Sequence, residues 1–126
     1  MYPDPRHTYV PHFDVATVDA GRVRYRDIWQ RRNLVLVALG QRPAPERYAA
    51  QLRASRDKFD DADADVVVTI DSIPGLPAAA VVVADRWGEI QHVEPVNTDE
   101  SAPLPAVDEI LAWVQFVRMQ CPECPP

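Results

Sequence analysis

Apolar and polar positions alternate in short bursts at the start of this chain and then give way to longer apolar runs, and that change of pattern predicts the elements. Phe13-Asp14-Val15-Ala16-Thr17-Val18 alternates, Asp19-Ala20-Gly21 supplies a turn, and Arg22-Val23-Arg24-Tyr25 alternates again, which together predict a short hairpin. Asp27 is then expected to cap a helical turn through Ile28 and Trp29. Leu34-Val35-Leu36-Val37-Ala38-Leu39 is apolar without interruption over strand length, as expected of a strand covered on both faces in the middle of a sheet. Gly40-Gln41-Arg42-Pro43-Ala44 breaks it. Pro45 suits the first position of a helix, where its missing N–H costs nothing. Tyr48, Leu52, Ser55 and Phe59 repeat at helical spacing, which predicts a helix to about Phe59 with Tyr48, Leu52 and Phe59 facing inward.

Asp60-Asp61-Ala62-Asp63-Ala64-Asp65 reads as a solvated acidic connection. Its spaced carboxylates suggest a calcium loop, but the glycine and terminal glutamate of that motif are missing. Val66-Val67-Val68-Thr69-Ile70 is a second buried strand, and a strand–helix–strand unit of this kind predicts a parallel, right-handed crossover. After Asp71 to Pro77 comes a third apolar strand, Ala78 to Val83. Asp85-Arg86-Trp87-Gly88 is then a turn and Glu89 to Val93 the antiparallel partner. Asn97 to Pro103 is polar loop. Pro105 opens the last helix, Asp108 and Glu109 suit its positive N-terminal end, and Val107, Ile110, Leu111, Val114 and Val117 form its buried stripe.

Composition narrows the function classes. Within 126 residues no apolar run approaches the roughly 20 needed to span a bilayer, and Met1 is not followed by a charged and then apolar leader, so a soluble cytoplasmic domain is expected. A formal charge of −6 argues against nucleic acid and anionic membrane as partners. Arg22, Arg24, Arg26, Arg31 and Arg32 form a local basic cluster, read as a solvated face. The proline-rich residues 1–11 are expected to be an irregular arm, with residues 12–120 the folded domain and 121–126 a tail.

That tail holds the only two cysteines, as Cys121-Pro122-Glu123-Cys124. The spacing serves a dithiol that exchanges electrons, with Cys124 the expected attacking thiolate, or half of a tetrahedral zinc site. A position after a helix C-terminus and beside Glu123 raises a thiol's pKa, which weakens the redox reading. Zinc needs more ligands, from His7, His12, His92 or a second chain. A third reading is a non-catalytic binding or scaffold domain. Trp113 and Phe116 lie off the last helix's main stripe and could meet a protein partner or a second copy, and a homodimer could share zinc between its tails.

The order hairpin, strand, helix, strand, antiparallel hairpin, helix is that of a thioredoxin-like α/β fold with a mixed central sheet. Pro11 to Asp14, Asp19 to Ile28 and Arg32 to Val37 together resemble the opening segment of the redoxin superfamily, the peroxiredoxin-like group of alkyl hydroperoxide reductases and thiol-specific antioxidants. Ala84 to Ile90 resembles its second hairpin. The resemblance implies a reactive cysteine at the start of the helix after the first central strand, where the helix N-terminus stabilises a thiolate. This chain has Gln41-Arg42-Pro43-Ala44-Pro45-Glu46 there, with no thiol, serine or threonine. The family's helix between the two later strands is also reduced, to Ser72-Ile73-Pro74-Gly75-Leu76, a short connection expected to cover the degenerate turn. Pro77 stands where thioredoxin-like folds usually carry a cis-proline, so a cis bond is expected there as a structural feature.

Overall fold

The computed structural model describes residues 8–19, 21–99 and 102–119. The hairpin is present as β1 (Asp14–Ala16) and β2 (Arg22–Arg24), antiparallel, with Val15 opposite Val23. A 3-10 turn, Tyr25–Asp27, follows, so Asp27 ends this turn where a capping role was expected, and Asp27 instead pairs with Arg24 at 3.5 Å. The uninterrupted apolar run is β3 (Asn33–Ala38), buried at all six positions.

The helix breaks earlier than its periodicity predicts. α1 (Pro45–Ala54) stops at Ser55, whose φ of −105° and ψ of 18° leave the helical region, and α2 (Arg56–Asp61) resumes, keeping Phe59 on the inward face. Asp60 and Asp61 are therefore helical, and Ala64 and Asp65 already belong to β4 (Ala64–Thr69), so the acidic connection is shorter than expected. β5 (Ala80–Ala84), β6 (Ile90–Pro95) and α3 (Val107–Met119) are the remaining described elements. The larger sheet has the order β4-β3-β5-β6, with β3 parallel to β4 and antiparallel to β5. A residue's direction in a strand alternates, so β3 feeds two cores. Val35 and Val37 meet Tyr48, Leu52, Phe59, Ile110 and Val114 on the helical face, whereas Leu34 and Leu36 meet Val10, Phe13, Tyr25 and Ile73 on the other.

All three helices lie on one face. The second face is closed by the hairpin, the 3-10 turn and the connection before β5. Ile73 is buried there, which seats this connection on the second core. It reverses through a tight turn, with the Leu76 N–H donating to the Ile73 carbonyl at 3.1 Å, Pro74 at its second position and Gly75 at φ +90°. Those are the residues a type II turn requires. The reversal is complete before Pro77, and no cis peptide occurs among the described residues, so the Leu76–Pro77 bond is trans and the cis-proline expectation is corrected. The last residues of the expected arm pair with the β5–β6 turn: the Val10 N–H donates to Gly88, the Ile90 N–H donates to Thr8, and Tyr9 bridges Glu89. No described helix is long and apolar enough to cross a membrane.

Candidate functional site

The turn between β3 and α1 is where this fold brings a helix N-terminus to the end of a central strand. Gly40, at φ +58°, lets the chain leave the sheet, and its backbone runs so close to the next segment that a Cβ would lie 3.3 Å from the Ala78 carbonyl. Ala44, left-handed at φ 53°, precedes α1 without a side-chain cap, and Pro45 occupies the first turn. Arg42 bridges this turn to the next loop. Its Nη1 donates to the Asn97 carbonyl at 2.9 Å and its Nη2 to the Ala102 carbonyl at 2.6 Å, which ties the loop before α3 to the turn. Tyr48, one turn into α1, is buried and its hydroxyl donates to the Pro105 carbonyl just before α3. Burial, with the nearby Glu109 carboxylate, pushes the Tyr48 phenol far above its ordinary pKa of 10.0, against the Arg42 guanidinium.

An open hollow of about 360 Å³ remains beside it, lined by Arg42, Pro43, Arg47, Tyr48, Gln51 and Leu104. It offers guanidinium donors and a phenol, and Arg42 and Tyr48 both donate to carbonyls of the segment before α3.

A larger hollow, about 380 Å³, lies along the outer edge of β4. Leu52, Phe59, Val66 and Val68 form its apolar floor, and its charges are matched. Arg32 reaches Asp60 at 2.9 Å and Asp65 at 3.3 Å and also donates to the Ala64 carbonyl, while Arg53 meets Asp19 at 3.3 Å. The Thr17 hydroxyl, opposed by desolvation and aided by Arg53, holds Asp19 below the usual carboxylate range. At the far end of the same edge the Val18 N–H donates to the Val68 carbonyl, and the buried Thr69 hydroxyl donates to Ala16. This network fastens the hairpin and α2 to the sheet edge.

Cys121, Cys124 and His7 lie outside the described residues. The two described histidines, also weighed as zinc ligands, sit on opposite faces of the sheet. His12 packs against Tyr25 at 5.4 Å and edge-on to Trp29 at 4.9 Å, whereas His92 on β6 stacks on Trp113 at 4.0 Å. Among the described residues no three groups of the His, Cys, Asp and Glu types converge to hold a metal. The width of the α3 stripe is thus partly explained within the chain, because Trp113 is half-buried on His92, while Phe116 remains 61% exposed. Sequence reasoning missed Arg42 and Arg32, since a guanidinium's partners come from distant loops. The one readable signal was an arginine inside a turn bounded by Gly40 and Pro43.

No family model matches the chain, and no curated protein does. Solved structures do. The reduced 2-Cys peroxiredoxin of Plasmodium vivax superposes with a TM-score of 0.67 at 16% identity, over 89% of this chain and 95% of that one. Thioredoxin peroxidase I of Plasmodium yoelii gives a TM-score of 0.62 at 16% identity over 92% and 95%, and the mitochondrial 2-Cys peroxiredoxin of Plasmodium falciparum gives 0.58 at 8% over 86% and 91%. The chain has the thioredoxin-like α/β fold found in peroxiredoxins. In this chain the turn after β3 is Gln41 to Glu46, with no thiol or hydroxyl.

Proposed function

We propose that this chain is a redoxin-like binding domain whose turn after β3 is tied to the loop before α3, with any thiol exchange or metal binding resting on Cys121 and Cys124. One observation carries the reading. Where the resemblance calls for a reactive cysteine, Gln41 to Glu46 offers no thiol or hydroxyl, and the Arg42 guanidinium donates to the carbonyls of Asn97 and Ala102. A peroxidase needs a thiolate that can be oxidised, and the turn supplies none. The expected result is no consumption of hydrogen peroxide with a dithiol reductant. Turnover that survives the double change Cys121→Ser, Cys124→Ser would overturn the reading. Turnover abolished by that change would assign the chemistry to the tail pair.

A second reading is favoured by the exposed Phe116 on α3 and the half-site spacing of Cys-Pro-Glu-Cys. Two chains packed through their last helices would cover Phe116, and their tails together would supply four sulfur ligands for one zinc ion.

A further inference from the structure

The opposite end of the central strand from the turn after β3 gathers a different set of residues. β3 begins at Asn33, and because β5 runs antiparallel to it, Ala84 pairs with Leu34 and the Asp85–Gly88 turn comes to lie beside the segment entering β3. The two are joined directly: the Gln30 N–H donates to the Arg86 carbonyl at 2.7 Å and the Trp29 Nε1–H to the Trp87 carbonyl at 3.1 Å. Tyr9 enters through its bridge to Glu89. Three large aromatic side chains are therefore collected at one end while still exposed, Trp29 at 36%, Trp87 at 39% and Tyr9 at 55%.

Two properties distinguish this end from a scatter of surface apolar residues. The first is rigidity. The Trp29 indole is fixed by its hydrogen bond, by His12 set perpendicular to it at 4.9 Å, and by the Gly88 backbone, where a Cβ would lie 3.5 Å from the ring. A ring already held in place loses little freedom on binding. The second is charge. Arg22, Arg24, Arg32, Arg53 and Arg56 are each engaged with an aspartate, but among the described residues Arg26, Arg31 and Arg86 have no ion-pair partner. Of the carboxylates nearby in sequence, Asp27 pairs with Arg24, and Asp85 is buried, its Oδ1 accepting the N–H groups of Trp87 and Glu89 at 2.9 Å and 3.0 Å. Three guanidiniums without an ion pair thus stand against Glu89 and the buried Asp85, on a chain whose formal charge is −6.

We propose that this end, built on Trp29, Trp87 and Tyr9 with Arg26, Arg31 and Arg86, docks an acidic segment of a partner protein that also carries apolar side chains. Tryptophan, tyrosine and arginine are the residues in which protein interface energy concentrates. The uncommitted guanidiniums select carboxylates, and the rings supply the apolar contact. A nucleic acid would use the same chemistry locally, but the remaining surface is acidic and would repel a polyanion longer than the patch. The inference rests on reading the chain as a binding domain. It does not depend on the cysteines, and it places the binding surface a strand's length, roughly 20 Å, from the turn after β3.

The test is a titration of the full chain, with thiols reduced, against a short synthetic peptide of alternating glutamate and leucine, followed by tryptophan fluorescence at low and at physiological salt. A lysine–leucine peptide and an oligothymidylate serve as comparators. Saturable binding of the glutamate–leucine peptide alone is expected, weakening as salt rises. Arg31→Glu with Arg86→Glu should lower the affinity about tenfold or more, and Trp29→Ala should lower it at unchanged salt dependence. The side chains of these two arginines are exposed and make no ion pair among the described residues, so circular dichroism should report an intact fold. Absence of acidic-peptide binding, binding indifferent to the arginine reversals, or preferential binding of oligothymidylate would each overturn the proposal. Peroxide turnover that survives loss of both cysteines would sink the wider binding-domain reading and leave this titration unaffected.

Discussion

At the scale of single residues, polar groups brought together from distant parts of the chain decide how the interior is closed. Arg42 spans from the turn after β3 to two carbonyls of the loop before α3. Arg42→Ala should cost about 2 kcal/mol in urea unfolding, since each charge-assisted bond contributes roughly 1.5–3 kcal/mol and water replaces part of it. Amide exchange at residues 97–102 should accelerate in the same variant. Tyr25 presents the reverse case. It is fully buried, its hydroxyl has no hydrogen-bond partner among the described residues, and burial together with the Asp85 charge raises its pKa to about 12. Tyr25→Phe should therefore be neutral or slightly stabilising near neutrality, because it removes an unpaired polar atom. The sign of the alkaline effect follows from the raised value. The folded state holds the phenolic proton more tightly than the unfolded chain, so this contribution is complete below pH 10.0 and is lost as pH rises through about 12. Urea midpoints taken near neutrality and again above pH 10.0 should fall for the wild type, and fall less for Tyr25→Phe.

At the scale of elements, turns set the path where apolar periodicity is silent. Gly75 and Gly88 both have positive φ, +90° and +85°, but their surroundings differ. A Cβ on Gly75 would meet only Pro11 at 3.8 Å, so Gly75→Ala should cost about 1 kcal/mol, from backbone conformation alone. A Cβ on Gly88 would lie 3.0 Å from the Tyr25 hydroxyl and 3.5 Å from the Trp29 indole. Gly88→Ala should cost more, about 2–3 kcal/mol, and Tyr25→Phe should recover part of the difference because the nearest offending atom is then absent. Thermal melts of the two single variants and the double variant provide the check. The break at Ser55 belongs to this scale too, since it redirects the chain so that α2 packs on β4.

For the whole molecule, the sheet is covered unevenly. Three helices occupy one face, and the other is closed by the chain's beginning and two loops. The helical layer ends in Phe116, which leaves the association question to α3. If the last helices and tails form a shared site, sedimentation should give a dimer that weakens with Phe116→Ala and with a chelator. A monomer under every condition removes that reading, and a dimer indifferent to chelator keeps the interface while removing the zinc.

The sequence alone determined the elements whose signal is local. The run Leu34 to Leu39 reads as a buried strand because apolarity on both faces is a property of consecutive residues, and the α3 stripe reads as a helix because Ile110, Leu111, Val114 and Val117 repeat within a few turns. The absence of a nucleophile between Gln41 and Glu46 was equally plain, being a matter of residue identity. Tertiary structure decided what depends on contacts between distant segments. The expected cis bond at Pro77 gave way because Pro74 and Gly75 already reverse the chain, and the acidic run shortened because Asp60 and Asp65 both meet Arg32, some thirty residues earlier. Trp113 moved from a candidate partner contact to a stacking partner of His92 for the same reason. Pattern along a chain reports which face of an element is apolar, but the partner of a guanidinium, an indole or a phenol is set by the topology of the sheet, which brings residues 29 and 87, or 42 and 102, within one hydrogen bond of each other.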